Sequence, residues 1–256
     1  MPSAAARTLG ARAPASRPGR ASRATRLGRA LRWIALATVV GATLDALYLA
    51  WIWPDWKALA SGPAPRSRFI EAYEESRASG EEPLPPLRFT PVPYAQIADS
   101  MKRTVVVAED ARFWAHEGVD YEALKEAVDR NLEEGRIVFG GSTISQQTAK
   151  NLFLSPARTP LRKWHELLLT YAMERHLPKR RILELYLNVA QFGRGVFGVE
   201  AAARHYWGTS AASLSWHQAA ELAAALPSPV ADNPATRTAR FQRRVQKIER
   251  FVAATR

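Results

Sequence analysis

Twenty consecutive residues, Ile34 to Trp53 (IALATVVGATLDALYLAWIW), carry a single charge between them. As a helix rising about 1.5 Å per residue they span roughly 30 Å, the hydrocarbon thickness of a bilayer. Asp45 costs on the order of 3 kcal/mol near a bilayer centre, and the Ile, Leu and Val side chains return roughly 0.3–0.6 kcal/mol each, so apolarity alone leaves insertion marginal. The flanks decide the matter. Arginines crowd the N-terminal side only, and Tyr48, Trp51, Trp53 and Trp56 gather at the other end as an interfacial belt. The pattern predicts one transmembrane helix over residues 33–54, with the N-terminus inside and everything after Trp53 outside. A cleaved signal peptide is the weaker reading. Ala58-Leu59-Ala60 offers a small-residue site, but the basic lead-in is long and the apolar run exceeds the usual ~7–15 residues. A buried helix of a soluble protein would rarely carry such a lead-in.

Elsewhere the pattern sorts the chain into four stretches. Residues 1–32, rich in Arg, Ala, Ser and Pro, lack the apolar content for a core and are expected to be a disordered tail. Residues 55–88 mix Pro and Gly with a short acidic helical stretch and are expected to be a linker. From Phe89 to about Pro229 apolar residues recur at i, i+3 and i+4, which predicts helices throughout. Thr104 to Val107 is β-branched but runs straight into a charged helical pattern. The expected fold is mainly α, a single domain over 89–240 followed by a basic C-terminal helix over 241–256.

Charge changes the picture little. The formal net charge is +12, but eight arginines and no acid precede Trp33, which leaves only +4 for the rest, so no nucleic-acid-binding domain is implied. The absence of cysteine removes disulfides, thiolate metal sites and cysteine nucleophiles.

Four clusters carry candidate chemistry. In Val105–Asp120, Glu109 follows an apolar run and precedes Phe113 and Trp114, surroundings that desolvate a carboxylate and raise its pKa toward the range of a general base. Asp110 and His116 are placed to orient it or each other; a solvated helix end with a structural histidine is the plainer reading. In Gly140–Phe153, two glycines precede a helix start whose Thr143 and Gln146 form a capping box. Its N-terminal N–H groups, with Lys150 one to two turns on and Asn151 beside Gln147, suit an anion such as phosphate, unless this is simply a well-capped helix. In Pro160–Glu174, Arg162 and Lys163 lie i+4 and i+3 from Glu166. They suit a diphosphate or pair with the glutamate as an ordinary surface bridge. In Lys179–Trp207 the apolar positions and glycines read as packing.

The order and wording of these clusters, E-D-x-x-F-x-x-H-x-G, G-G-S-T-I-x-Q-Q-x-x-K-N-L, R-K-x-x-E and I-L-E-x-Y-L-N, resemble the family 51 peptidoglycan glycosyltransferases from about Phe89 to Pro229. The resemblance implies a two-lobed, lysozyme-like helical domain with an extended cleft, in the bacterial inner membrane and facing the periplasm. It implies that Glu109 is the catalytic base toward the 4-hydroxyl of acceptor lipid II. The acceptor attacks C1 of the growing strand, a lipid diphosphate leaves, and the configuration inverts. By the same resemblance Glu166 assists that departure, directly or through a divalent cation (Mg2+ or Mn2+), with no other cofactor required. Lys150, Asn151, Arg162 and Lys163 line the phosphate region, with Ser142, Gln147, Asp110 and His116 nearby. The implied partners are lipid II, the growing strand, the membrane and proteins of cell-wall synthesis or division. The family often has Glu where this chain has Gln218, a difference that bears on packing. The transpeptidase motifs S-x-x-K, S-x-N and K-T-G do not occur, so glycan polymerisation without peptide cross-linking is expected. A lysozyme-like hydrolase, or an inactive division scaffold, is the competing reading; the first would not need the Lys150, Arg162 and Lys163 cluster.

Overall fold

The computed structural model describes residues 20–80, 83–135, 141–157 and 159–255, and separates the chain at Trp53–Pro54 into two compact units. The first is a single helix, α1 (Arg20–Ile52), of 33 residues, about 50 Å long. Its stretch Arg26–Ile52 is long and apolar enough to cross a membrane. The Thr38 and Thr43 hydroxyls donate back to the carbonyls of Ile34 and Val39, each at 2.9 Å, which satisfies both within their own helix. The tail expected to be disordered to residue 32 is helical from Arg20; the part of it before Arg20 lies outside the described residues. Arg, Ala and Leu are strong helix formers, and extending a helix already nucleated by the apolar run costs far less than starting one.

In the second unit the expected linker is folded. Asp55 caps α2 (Trp56–Ser61), accepting from the Ala58 N–H, and Ser67 caps α3 (Arg68–Ser79) by accepting from the Ile70 N–H. Trp56, Leu59 and Ile70 are buried. Trp56 stacks on His176 with centroids 5.4 Å apart and meets Phe153 edge-on. The carbonyls at the end of α2 are taken by the Arg181 guanidinium, through Leu59 at 2.7 Å and Gly62 at 2.5 Å. A few large apolar side chains thus outweighed the Pro and Gly content that suggested a linker.

The rest is mainly α, as the pattern predicts. α4 (Asp99–Glu109) absorbs the β-branched run, and α5 (Tyr121–Glu134), α6 (Ile144–Phe153), α7 (Pro160–His176) and α8 (Lys179–Val189) follow. Then come α9 (Val199–Trp207), α10 (Trp216–Ala225) and α11 (Ala239–Ala254). Among the described residues one small sheet occurs, of β1 (Arg88–Phe89), β2 (Gln191–Gly193) and β3 (Val196–Phe197). β3 is central, parallel to β1 and antiparallel to β2.

Two sets of helices carry the packing. α4, α10 and α11 enclose one core, in which Ala220, Ala223 and Ala224 of α10 admit Phe241, Val245 and Ile248 of α11 at close range. α6, α7 and α8 enclose the other around Ile144, Leu169, Met173 and Leu183. The C-terminal basic helix, expected over 241–256, is a wall of the first core, because its apolar stripe at 241, 245, 248 and 252 must be buried somewhere. Gln218 sits where packing was expected to matter and closes a capping box with Ser215 at the start of α10.

Asn188, at the end of α8, fixes the segment entering this unit. Its Oδ1 accepts from the Val92 N–H at 2.8 Å, and its Nδ2 donates to the carbonyls of Val92 at 2.9 Å and Glu184 at 2.8 Å. Gly198, at φ +86°, passes so close beneath that a Cβ there would meet the Asn188 carbonyl at 2.6 Å. Asn188→Leu leaves the Val92 amide and carbonyl unpaired, and should lower unfolding free energy by about 2 kcal/mol or more. Urea denaturation measures this, and a loss under about 0.5 kcal/mol would mean that the clamp contributes little.

Candidate active site

Glu109 ends α4 where the two helix sets meet. Its Oε2 accepts from Gln147 Nε2 of α6 at 3.0 Å, and its Oε1 accepts from Arg244 Nη2 of α11 at 3.0 Å. The Tyr186 hydroxyl of α8, wholly buried, donates to Gln147 Oε1 at 3.2 Å and so fixes which end of that amide faces Glu109. With 11% of its side chain exposed, Glu109 is held above the usual carboxylate pKa by burial, against the opposing pull of Gln147, Arg244 and Lys150. Burial, and the neighbouring Glu109, also push the Tyr186 phenol well up, so Tyr186 stays a donor.

Two hollows meet at this carboxylate. One, of about 340 Å³, is bordered by Asp110, Arg112, Asp120 and Glu126; the other, of about 660 Å³, by Val107, Gln147, Arg244, Lys247 and Phe251. Glu109 and Ser142 belong to both. Arg112 forks onto the two oxygens of Asp120 at 2.8 and 2.7 Å, and Asp120 in turn caps α5. That guanidinium holds the Asp120 carboxyl below its ordinary range.

The neighbouring carboxylate does something else. Asp110 is buried and does not touch Glu109's ligands: it accepts from the Ile144 N–H at 2.9 Å and from His116 Nε2 at 3.0 Å. His116 Nδ1 accepts from the Gly118 N–H at 3.1 Å, so the ring is the Nε2–H tautomer. Of the two orientations open to the sequence, Asp110 and His116 orient each other.

At the α6 N-terminus, two of the N–H groups that the sequence offers to an anion are taken within the chain. The capping box is present, with Thr143 Oγ1 accepting from the Gln146 N–H and Gln146 returning to the Thr143 N–H. The Ile144 N–H is taken by Asp110. The helix start already holds an anion of its own chain. Gly140 lies outside the described residues. Lys150 lies two turns on, its ammonium 5.7 Å from the Phe69 ring centroid and near enough to lower the Glu109 pKa. Asn151, next along α6, is half-buried.

Thr159 caps α7 and Pro160 occupies its first turn as predicted. Arg162 Nη1 donates to Glu166 Oε2 at 2.8 Å, and Lys163 Nζ donates to Oε1. This is no ordinary surface bridge: the Glu166 side chain is 4% exposed, Arg162 16% and Lys163 42%. Both Glu166 oxygens therefore face cations of their own helix.

Three contributors escaped the sequence reading. Sequence alone places Arg244 in a basic C-terminal helix and Tyr186 on a packing face, and gives Arg112 no role. Arg244 flanks the apolar stripe of α11, which is the only local signal it gives.

Residues 82–252 match the family model described as Transglycosylase. A protein of Nitrosospira multiformis is 56% identical over 143 residues, 56% of this chain and 62% of that relative. One of Laribacter hongkongensis is 46% identical over 202 residues, covering 78% of this chain and 87% of the relative. One of Bordetella pertussis is 48% identical over 210 residues, covering 78% and 86%. Each of the three is named a biosynthetic peptidoglycan transglycosylase.

Because Arg244 favours the ionised form of Glu109, its removal should raise the Glu109 pKa further above the usual carboxylate value. Carboxyl-carbon NMR titration of Arg244→Ala against the parent reads this directly. A midpoint that stays put or falls would dissociate the guanidinium from the carboxylate's charge.

Proposed function

The chain belongs to the transglycosylase family, and on that footing we propose that it polymerises lipid II into β-1,4-linked glycan, with Glu109 as the base. The observation that carries this reading is a carboxylate of raised pKa at the junction of two hollows, oriented by an amide and a guanidinium. Ionised Glu109 takes the proton of the acceptor's sugar 4-hydroxyl while that oxygen attacks C1 of the donor. The O4–C1 bond forms, the bond from C1 to the phosphate oxygen breaks with its electron pair, and undecaprenyl diphosphate departs. Attack opposite the leaving group turns the α donor linkage into β.

A base whose pKa lies nearer the working pH is stronger once ionised, which is the use of burying Glu109. Arg244 and Gln147 keep enough of it ionised and aim its lone pairs. On the leaving side, charge builds on a diphosphate. Lys150 with Arg162 and Lys163 supplies compensation, and a cation fixed in place before reaction stabilises that charge without reorganisation cost. In this scheme Arg162 and Lys163 transfer part of their pairing from Glu166 to the diphosphate, and Glu166 holds them in position meanwhile. Asn151, Ser142, Asp110 and His116 frame the substrate region, the last two by fixing α6. No resident cofactor enters the scheme.

We further propose that α1 crosses the inner membrane once, with its arginine-rich end cytoplasmic and the catalytic unit periplasmic, where lipid-linked substrates are found. An exposed apolar strip supports a seat against lipid. Leu124, Val128 and Leu132 lie along α5 and Leu161 and Trp164 along α7, with the Tyr121 and Tyr171 hydroxyls joining the two helices.

Glu109→Gln should lower lipid II polymerisation by at least ~10²-fold with helix content unchanged by circular dichroism. Near-normal turnover in that variant defeats the mechanism, and release of fragments from finished glycan by the parent would indicate a hydrolase instead. Lys150→Ala should weaken binding of a diphosphate-bearing substrate analogue several-fold; unchanged affinity would remove Lys150 from the anion site.

A further inference from the structure

Helix α11 brings Arg244 to Glu109, so where α11 lies along its neighbours sets the length of that contact. Its main support is α10, whose face in the shared core is Ala220, Ala223 and Ala224. Methyl groups admit a close approach but raise no ridge high enough to stop one helix sliding along another. Register along this seam is therefore left to directional contacts, and the turn between the two helices supplies them.

Asp232, in that turn, has 9% of its side chain exposed and serves the start of α11. It accepts from the Thr238 hydroxyl at 2.7 Å and from Arg240 Nε at 2.6 Å, while Thr238 caps the helix by accepting from the Phe241 N–H. Arg237 crosses back to α10. Its Nη1 stands 2.8 Å from Oε1 of Glu221, a carboxylate with 2% of its side chain exposed. Arg237 does so at φ +46°, the one non-glycine residue with a positive φ among the described residues. Such a conformation persists only where surrounding contacts enforce it. His217, one turn earlier on α10, stands 3.7 Å from the same Glu221 oxygen, and its other ring nitrogen pairs with Glu249 of α11 at 2.7 Å. Arg244 lies between these attachments, after Arg237 and Arg240 and before Glu249. Parting a buried carboxylate from its cation is costly, whereas an exposed pair such as His217 with Glu249 resists little, so sliding is opposed chiefly at Glu221.

We propose that Glu221 and Asp232 are positioning residues: they hold α11 in the register that presents Arg244 to Glu109. The proposal rests on the reading of Glu109 as the base, and it makes the strength of that base depend on contacts made between α10, the turn and α11. Of the two cations that favour ionised Glu109, Lys150 belongs to α6, and only Arg244 moves with the turn. A displacement of about 1 Å is enough to matter, since misplacement on that scale can cost ~10²-fold in rate.

The test is a carboxyl-carbon NMR titration of Glu109 in the full chain, in detergent micelles and without substrate. Glu221→Gln keeps the shape of the side chain and removes its charge. Losing a negative charge lowers a neighbouring carboxylate's pKa, whereas displacing Arg244 raises it, so the direction separates the two effects. Glu221→Gln and Asp232→Ala should each raise the Glu109 midpoint by roughly half a pH unit, less than Arg244→Ala does. In an Arg244→Ala background neither should move it further. For either residue, a midpoint that stays or falls, or that rises equally without Arg244, overturns its role. Should Glu221→Gln fail to fold, Arg237→Gly breaks the same contact from an exposed position, suits the positive φ, and is read by the same criteria. The polymerase reading fails separately: a chain that shows this coupling but makes no polymer from lipid II keeps the link from Glu221 and Asp232 to Glu109 and loses only the proposed reaction.

Discussion

A single carboxylate ties the two halves of the packing together. Glu109 is the last residue of one helix set and takes its hydrogen bonds from both: an amide from the α6–α8 set, whose own orientation is locked by Tyr186, and a guanidinium from α11. Every feature of the site follows from keeping that group buried yet ionisable. Burial raises its pKa; the amide and guanidinium limit the rise; two hollows open onto it. Were Glu109 solvated, it would be an ordinary weak base. Were it buried without Arg244, it would spend more of its time protonated.

The adjacent carboxylate shows how sharply local geometry divides labour. Asp110 turns away at the end of α4 and spends its oxygens on the first N–H of α6 and on His116. Thr143 at the same helix start donates to the Gly118 carbonyl, which closes the loop onto the helix that presents Gln147. Of two adjacent acids, one thus faces both hollows and the other serves as scaffold, keeping in register the helix whose amide pairs with the first.

Cations are deployed with equal economy. Arg162 and Lys163 neutralise a nearly buried Glu166 in the resting state, which keeps an otherwise costly charge solvated by protein and holds both cations at fixed positions. Arg112 locks a loop through Asp120, and Arg181 caps α2 from 119 residues away in sequence.

Much of this was legible in the chain. The apolar run marks a helix long and apolar enough to cross a membrane, because hydrocarbon thickness fixes a length and lipid excludes charge. The i, i+3, i+4 spacing predicts a mainly helical unit, and Thr143 with Gln146, or Pro160 after Thr159, predict helix starts, because capping is local chemistry. Glu109 and the pairing of Glu166 with Arg162 and Lys163 follow from spacing within one or two turns. The partners of Glu109 do not. Gln147 lies 38 residues away and Arg244 135, and a helix pattern records which face is apolar but not which other helix will cover it. For the same reason the expected linker proved to carry buried helices and the C-terminal helix to be a wall of the core. Local periodicity sets the elements; only the mutual burial of their apolar faces decides which distant side chains meet.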